Sequence, residues 1–433
     1  MDFFVLARCL FIGPNVIVIC NNSKLKYRVE KLYSILFNFL KKYMRGIFMT
    51  KNKIAMVLII LFFINFCSKR DIKIADIKNI NYKNVTQNYN IKLIKMRDIK
   101  LEFNKDNPLQ WINAVNFDSK NNILIADKTS SNIKKYNHNG QLLGVVGRPG
   151  RGPGEFLNIH SFFIEKNSNK IIVCDSQTRQ ITYFDNNGNY EYSFKLNDNY
   201  FLTISSHPTF LANNNKIYIP VIYANAKDYD QEVSFFPIIE LNKEGKIINS
   251  MGIYDEVYND YNLQKFVNVK LAQKIYKNKL FYSQEGYYKI NYLDLDNKNN
   301  NYKFGVKGKY YRKLKNYAKG NLNQLSKYIC TTSSMKNPII IKDKYLIIEY
   351  RNINKISANN KILYTNGKEN EFDNYLQIYD IQNKEYLGEI NLDRKIILNV
   401  DDEDYIYFMF PYNVDYLYKY DLEITERENR NEK

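Results

Sequence analysis

A block of this chain is written twice, and that repetition constrains the fold more than any other feature. Ile123-Leu-Ile-Ala-Asp127, Ile133, Tyr136 and Asn139-Gly140 return as Ile171-Ile-Val-Cys-Asp175, Ile181, Phe184 and Asn187-Gly188. Nine positions agree in type at one fixed offset of 48 residues. Each copy consists of apolar runs of strand length divided by polar turns, with Asn-Gly where a tight hairpin needs left-handed backbone. A strand-built period of about 40–50 residues is the mark of a β-propeller blade. The 38 Tyr and 26 Phe among 433 residues suit pleated, half-buried strands.

Weaker copies follow. Ile217-Tyr-Ile-Pro-Val with Ile238-Ile-Glu-Leu and Gly245 reads as a third unit, and Lys279-Leu-Phe-Tyr-Ser with Ile290-Asn-Tyr-Leu-Asp-Leu as a fourth. Tyr345-Leu-Ile-Ile-Glu-Tyr with Leu376-Gln-Ile-Tyr-Asp-Ile gives a fifth, and Tyr405-Ile-Tyr-Phe-Met-Phe with Leu417-Tyr-Lys-Tyr-Asp-Leu a sixth. The expected fold is all-β, a six-bladed β-propeller over residues 91–425 with a polar tail at 426–433. A ring needs its last sheet completed, because an open edge invites aggregation. The alternating segment from Ile91 to Phe103 is the expected closing strand, and the Asn- and Lys-rich residues 68–90 read as a tether.

Ahead of the tether lies a targeting signal. Met49-Thr50-Lys51-Asn52-Lys53 is a short positive start, and Ile54–Phe66 is an apolar run broken only by Asn65. That run is too short to span a bilayer, which takes about 20 residues, and it ends at Cys67. Residues 49–67 therefore resemble the signal peptide of a bacterial lipoprotein, with Cys67 the lipidated residue; an uncleaved signal anchor is the alternative, since Phe66 stands where a small residue is usual. Residues 1–48 are an upstream extension of the reading frame or a membrane-associated leader. The net charge of +18 invites a nucleic-acid reading, but ten basic residues fall in 1–67 and no basic stripe follows, so no nucleic-acid partner is expected. Five cysteines make no disulfide framework, and Cys174 and Cys330 read as buried small apolar residues.

Val146-Gly-Arg-Pro-Gly-Arg-Gly-Pro-Gly-Glu-Phe156 joins the first repeat to the second. It resembles the Gly-x-x-Gly-x-Gly-Pro-Gly-Glu-Phe blade junction of the six-bladed β-propeller lipoproteins of Bacteroidetes, relatives of NHL-repeat propellers. The Asp127, Tyr136 and Gly140 spacing is similar to an NHL repeat. The resemblance implies a secreted, lipid-anchored propeller in the cell envelope, an outer-membrane lipoprotein facing the periplasm or the cell surface. It implies no particular chemistry. The junction's glycines and prolines shape a tight path between blades; Gly-rich turns can also bind anions through backbone N–H groups, with Arg148 and Arg151 adding charge.

The repeats separate fold from function. Asp127 and Asp175 share one repeat position and read as turn residues bonding to backbone, not as a catalytic pair. Counting back along the first strand of each unit places Asn113, His160 and His207 at equivalent positions, with Asn337 in the fifth unit. First strands line a propeller's channel, so these side chains are candidate ligand-binding residues, and His160 and His207 are candidate ligands for a central divalent metal. The alternative is that they bond to inner-strand backbone. No Gly-x-Ser-x-Gly, His-Glu-x-x-His or P-loop motif occurs. The reading that results is a binding or scaffold propeller for a protein or glycan, with no cofactor and no catalysis assigned. A metal-dependent hydrolase or lyase at the channel is the competing class. Sequencing the amino terminus of the protein from cells should return nothing from 24–45; a peptide from that stretch would overturn the upstream-extension reading.

Overall fold

The strand Ile123–Asp127 shows how the architecture arises. All five of its residues are buried. Alternate side chains leave a strand on opposite faces, and here both faces meet protein: Ile123 and Ile125 pack with Leu398, Tyr407 and Leu417, while Leu124 and Ala126 pack with Phe156, Phe162 and Val173. A sheet covered on both sides explains why the second strand of each repeat reads as an unbroken apolar run. The computed structural model describes residues 77–165, 167–196, 200–202, 211–213, 216–223, 238–253, 271–284, 286–298, 300–312, 333–353, 372–410 and 413–427.

Six antiparallel sheets form the blades, confirming the all-β, six-bladed expectation. Blade 1 comprises Ile112–Phe117, Ile123–Asp127, Asn132–Tyr136 and Leu142–Val146 in sequence order. Blade 2 repeats the pattern with Ile159–Ile164, Ile171–Asp175, Gln180–Phe184 and Tyr190–Lys195. In blade 3 the first strand comes in two pieces, Tyr200–Leu202 and Leu211–Asn213, both paired with Lys216–Tyr223, and Ile238–Asn242 and Ile247–Met251 follow. Blade 4 begins with Leu271–Tyr276, Lys279–Gln284, Ile290–Asp294 and Asn301–Phe304. Blade 5 holds Ser334–Ile341, Tyr345–Ile353, Phe372–Asp380 and Glu385–Asn391. First strands lie side by side between blades 1 and 2, 3 and 4, 4 and 5, 5 and 6, and 6 and 1, and a hydrophobic cluster fills the space between blades 1 and 2, 2 and 3, 4 and 5, 5 and 6, and 6 and 1. Apart from the short turn of 3-10 helix at Thr86–Asn88, the described residues contain no helix.

Blade 6 closes the ring with chain from both ends. Ile396–Val400, Ile406–Phe410 and Asn413–Glu426 supply three strands, and Tyr89–Lys100 pairs antiparallel along the last of them from Tyr89↔Glu426 to Lys100↔Tyr416. The closing strand is thus the one expected, and Ile99 within it and Leu101 just after it are buried in the cluster between blades 6 and 1. The hairpin at Asn139-Gly140 seats against it: Gly140 has φ +87°, and a Cβ there would fall 2.0 Å from the Lys100 carbonyl oxygen, so only glycine fits.

The part of the expected tether that is described is no free linker. Ile77–Asn79 forms a fifth, parallel strand on the outer edge of blade 4 against Asn301–Lys303. Lys83–Asn84 does the same for blade 5 against Glu385-Tyr386. Tyr82 stacks on Phe304 at 4.3 Å and meets Tyr379 edge-on at 5.8 Å, while Val85 is 3% exposed in the core between blades 5 and 6. This N-terminal strap, residues 77–100, therefore runs over three blades, its apolar residues taking sites that open sheet edges would otherwise expose.

A chain starting at residue 89 should fold as a ring but lose about 2–5 kcal/mol for each buried anchor, Tyr82 and Val85. A chain starting at residue 101 leaves the outer edge of Asn413–Glu426 open and should aggregate. Size-exclusion chromatography and urea unfolding distinguish the two; a monomeric, cooperative fragment from 101 would contradict the closure.

Candidate functional site

The first strands carry a recurrent irregularity where they begin. Register slips by one residue between Ile112 and Ala114 in blade 1, between Ile159 and Ser161 in blade 2 and between Ile397 and Asn399 in blade 6, and it slips between Met335 and Pro338 in blade 5. Such bulges re-aim a side chain out of the ladder. Asn113 and His160 are the bulged residues of their strands, so the equivalence counted from sequence holds for this pair, and Asn337 lies within the blade 5 bulge. His207 lies outside the described residues, as do Cys67 and Cys330.

What these amides do is fasten blades together. The Asn113 Nδ2 group donates to the carbonyl oxygens of Ile159 at 2.9 Å and His160 at 2.6 Å. Asn116 donates to the Phe162 carbonyl at 2.8 Å. From blade 6, Asn399 donates to the Val115 carbonyl at 2.8 Å and to Asn116 Oδ1 at 2.9 Å. The pattern continues with Gln273 of blade 4 donating to the Tyr218 carbonyl at 2.8 Å and Ser283 to the Lys336 carbonyl at 3.0 Å. Carbonyls at the blade 2 bulge (Ile159, His160) and in regularly paired stretches (Val115, Phe162) alike take donors from side chains of the adjoining blade. His160 is 6% exposed and walled into the same layer. Among the described residues, no group of three or more His, Cys, Asp or Glu is placed to hold a metal ion.

The two repeated aspartates behave as the repeat implied. Asp175 accepts backbone N–H groups from Leu157, Asn158, Gln177 and Thr178 at 2.7–3.2 Å. Asp127 accepts those of Gln110, Trp111 and Thr129 at 3.0–3.2 Å, and the Ser130 hydroxyl besides. Blade 1 adds Lys134, whose Nζ lies 3.1 Å from Asp127 Oδ2 with both side chains fully buried. The ammonium also donates to Ser130 Oγ at 2.7 Å and Asn132 Oδ1 at 2.8 Å. Burial works against the charge on Asp127, but the Ser130 hydrogen bond and the Lys134 cation prevail and hold its pKa below the usual carboxylate range. Burial also lowers the pKa of Lys134, against the pull of Asp127. The sequence carries a signal for this pair: at the offset of 48, Lys134 stands where the sister repeat has Thr182.

A second buried charge sits in blade 5. Glu349 is 2% exposed and accepts the Ile397 N–H of blade 6 at 3.0 Å. Burial pushes its carboxyl pKa up, while Arg351 and Lys336 pull it back. Arg351 donates to Asn374 Oδ1 at 2.9 Å and covers the Phe372 ring at 4.4 Å. Here too the sequence signal was a lone charge inside an apolar run, Tyr345-Leu-Ile-Ile-Glu-Tyr350.

In the Gly-rich junction the turn is filled by a carboxylate of the chain's own. Gly152 N–H donates to Glu155 Oε2 at 2.8 Å, and Arg148 Nε meets Oε1 at 2.9 Å. The Gly152 N–H and the Arg148 guanidinium together keep the Glu155 carboxyl below its ordinary pKa. Gly150, at φ +149°, leaves the space that the carboxylate fills. Arg148 is thus engaged within the turn, and Arg151 remains exposed. Cys174 is buried, and burial pushes its thiol pKa up, away from reactivity.

Replacing Lys134 with Met removes the cation but leaves Asp127 buried with its backbone donors, at an expected cost of about 3–5 kcal/mol. Asn113→Ala should cost about 1–3 kcal/mol through orphaned carbonyls. Because the folded pKa of Asp127 is depressed, its contribution is complete above the unfolded value of about 3.9 and fades as pH falls through the folded value. In Lys134→Met that loss should begin at higher pH. Urea titrations across pH 3–7 measure both effects (about the span of carboxylate titration), and unchanged midpoints would show that the ion pair is dispensable.

Comparison with known proteins agrees with this architecture. A Bacteroides vulgatus member of the DUF4221 family superposes with a TM-score of 0.59 at 12% identity, covering 78% of this chain and 99% of its own. A Bacteroides fragilis protein aligns at 13% identity over 82% of this chain and 100% of its own, with a TM-score of 0.49. Virginiamycin B lyase from Staphylococcus aureus aligns at 11% identity over 76% and 99%, with a TM-score of 0.42. At such identities the first likeness speaks for the fold alone, and the other two carry no argument. No curated protein sequence matches the chain. One family profile, described as a 6-bladed beta-propeller, matches residues 68–331, well over half of the sequence. With its repeats, its blades and that match in agreement, the chain belongs to the DUF5128 family of six-bladed β-propellers.

Proposed function

We propose that this protein is a lipid-anchored propeller of the bacterial cell envelope that binds or scaffolds a protein or glycan partner, with no catalysis assigned. The observation that carries the reading is the use made of the inner-strand amides. Asn113, Asn116 and Asn399, polar groups that a ligand site at the channel would draw on, are committed to carbonyls of the adjoining blade. A ring stiffened in this way is suited to presenting a fixed outer surface, because little of its hydrogen-bonding capacity is left to rearrange. Anchoring through Cys67 would hold that surface at a membrane, the two acyl chains of a diacylated thiol together giving the stable attachment that one chain does not.

The competing reading, a central metal held by His160 and His207, is kept because His160 and Asn113 do share the bulge position of adjoining strands. Metal analysis of the full chain purified from cells separates the two. Less than stoichiometric metal, unchanged in His160→Ala, is the expected result. A stoichiometric metal lost from both His160→Ala and His207→Ala would replace the binding reading with the enzymatic one. Crosslinking in cells should capture an envelope partner, and Cys67→Ser should shift the protein from the membrane to the soluble fraction; an unchanged distribution would overturn the anchor.

A further inference from the structure

The strap does more than cover edges. Where Ile77–Asn79 lies against blade 4 and the chain crosses toward blade 5, it roofs a solvent-open groove of about 600 Å³. Lys78 of the strap, Lys279, Tyr292, Asp294 and Tyr302 of blade 4, and Lys384 of blade 5 line it. Tyr292 and Tyr302 are cross-strand partners whose rings stack at 4.5 Å and 14°, and Lys279 Nζ stands 5.4 Å from the Tyr292 ring centre. The lone carboxylate, Asp294, is engaged by the backbone N–H groups of Asp296 and Asn297 at 3.0 and 3.3 Å. The three lysines make no ion pair with a described residue. Cations grouped from three separate elements around a stacked aromatic pair outnumber the one carboxylate of the lining and give the groove an excess of positive charge that attracts anions.

The chemistry of the groove narrows the ligand. Three ammonium groups on three elements suit charges repeated along a chain better than a single phosphate, which favours donors converging on one point. With Tyr292 stacked between Tyr302 and Phe281, the pair turns ring edges and phenol groups to the groove, an apolar C–H rim beside hydroxyls that matches a sugar ring with apolar and hydroxylated edges. We propose that this groove binds an acidic saccharide, a chain of uronate-type sugars, with Lys78, Lys279 and Lys384 pairing its carboxylates and the Tyr292–Tyr302 pair receiving a ring. The assignment rests on the binding-module reading above and names its ligand class. It also couples ligand to fold: a saccharide touching Lys78 and blade 4 together holds the strap in place, so binding stabilises residues 77–84.

The test uses the full chain, with an oligogalacturonate as probe and a neutral dextran oligomer and single-stranded DNA as comparators. Calorimetry should detect the oligogalacturonate, with affinity falling as salt rises, and hydrogen exchange should slow across residues 77–84. The variant Lys78→Gln/Lys279→Gln/Lys384→Gln should bind about tenfold more weakly or worse, with its unfolding midpoint unchanged. Lys120→Gln/Lys243→Gln/Lys246→Gln, which removes equal charge elsewhere, should bind as the parent does. Equal weakening in both variants would reduce the effect to net charge and overturn the site. Tighter binding of the DNA, or oligogalacturonate binding without protection of the strap, would also overturn it. Failure of the oligogalacturonate to bind sinks this groove alone; the parent reading falls only if crosslinking in cells captures no partner.

Discussion

The structure depends on one ladder of hydrogen bonds, that between Tyr89–Lys100 and Asn413–Glu426. A propeller has no stable partial form in which its last sheet stays open, since each blade buries both faces against its neighbours and the final interface exists only when the ring is shut. Here the two strands that shut it are more than three hundred residues apart in sequence. Contacts so distant must overcome a large loop-closure entropy before they return any stabilisation. That distant pairing completes blade 6 and with it the packed interfaces to blade 5 and to blade 1.

Electrostatics in this molecule serves the same end. The buried ion pair of Lys134 and Asp127 lies inside blade 1, and Glu349 joins blade 5 to blade 6 by accepting the Ile397 N–H. Glu240 of blade 3, fully buried, is paired with Lys216 of its own blade and Lys298 of blade 4. Such groups are costly to desolvate and fix geometry only when every partner is present. Glu349 and Glu240 mark joints between modules whose apolar faces are otherwise alike, where sliding by one residue would leave a charge stranded.

The repeat made the ring legible because propeller blades reuse one pattern, and two copies only 48 residues apart could be compared position by position. The closing strand was legible for a topological reason, as Ile91–Phe103 was the one alternating segment before the first blade. The strap over blades 4 and 5 was not, because its strands are two or three residues long and polar, and are held by edges far away in sequence. At the channel, the sequence could align Asn113 with His160 but could not show that the amide would be spent on carbonyls exposed by a bulge. A bulge is a property of the paired strand, and nothing local in Ile112–Phe117 announces it.

The strap's route also has a mechanical consequence. Tension applied to the chain ahead of residue 77 enters at the rim of blade 4 and reaches the short parallel contacts at Ile77–Asn79 and Lys83–Asn84 before the long antiparallel ladder of blade 6. The weaker pairings therefore yield first, paying out slack while the ring stays shut, and the tyrosine at position 82 can reseat when the force relaxes. A body moored to a moving surface by its amino-terminal end would carry its shock absorber within its own circumference.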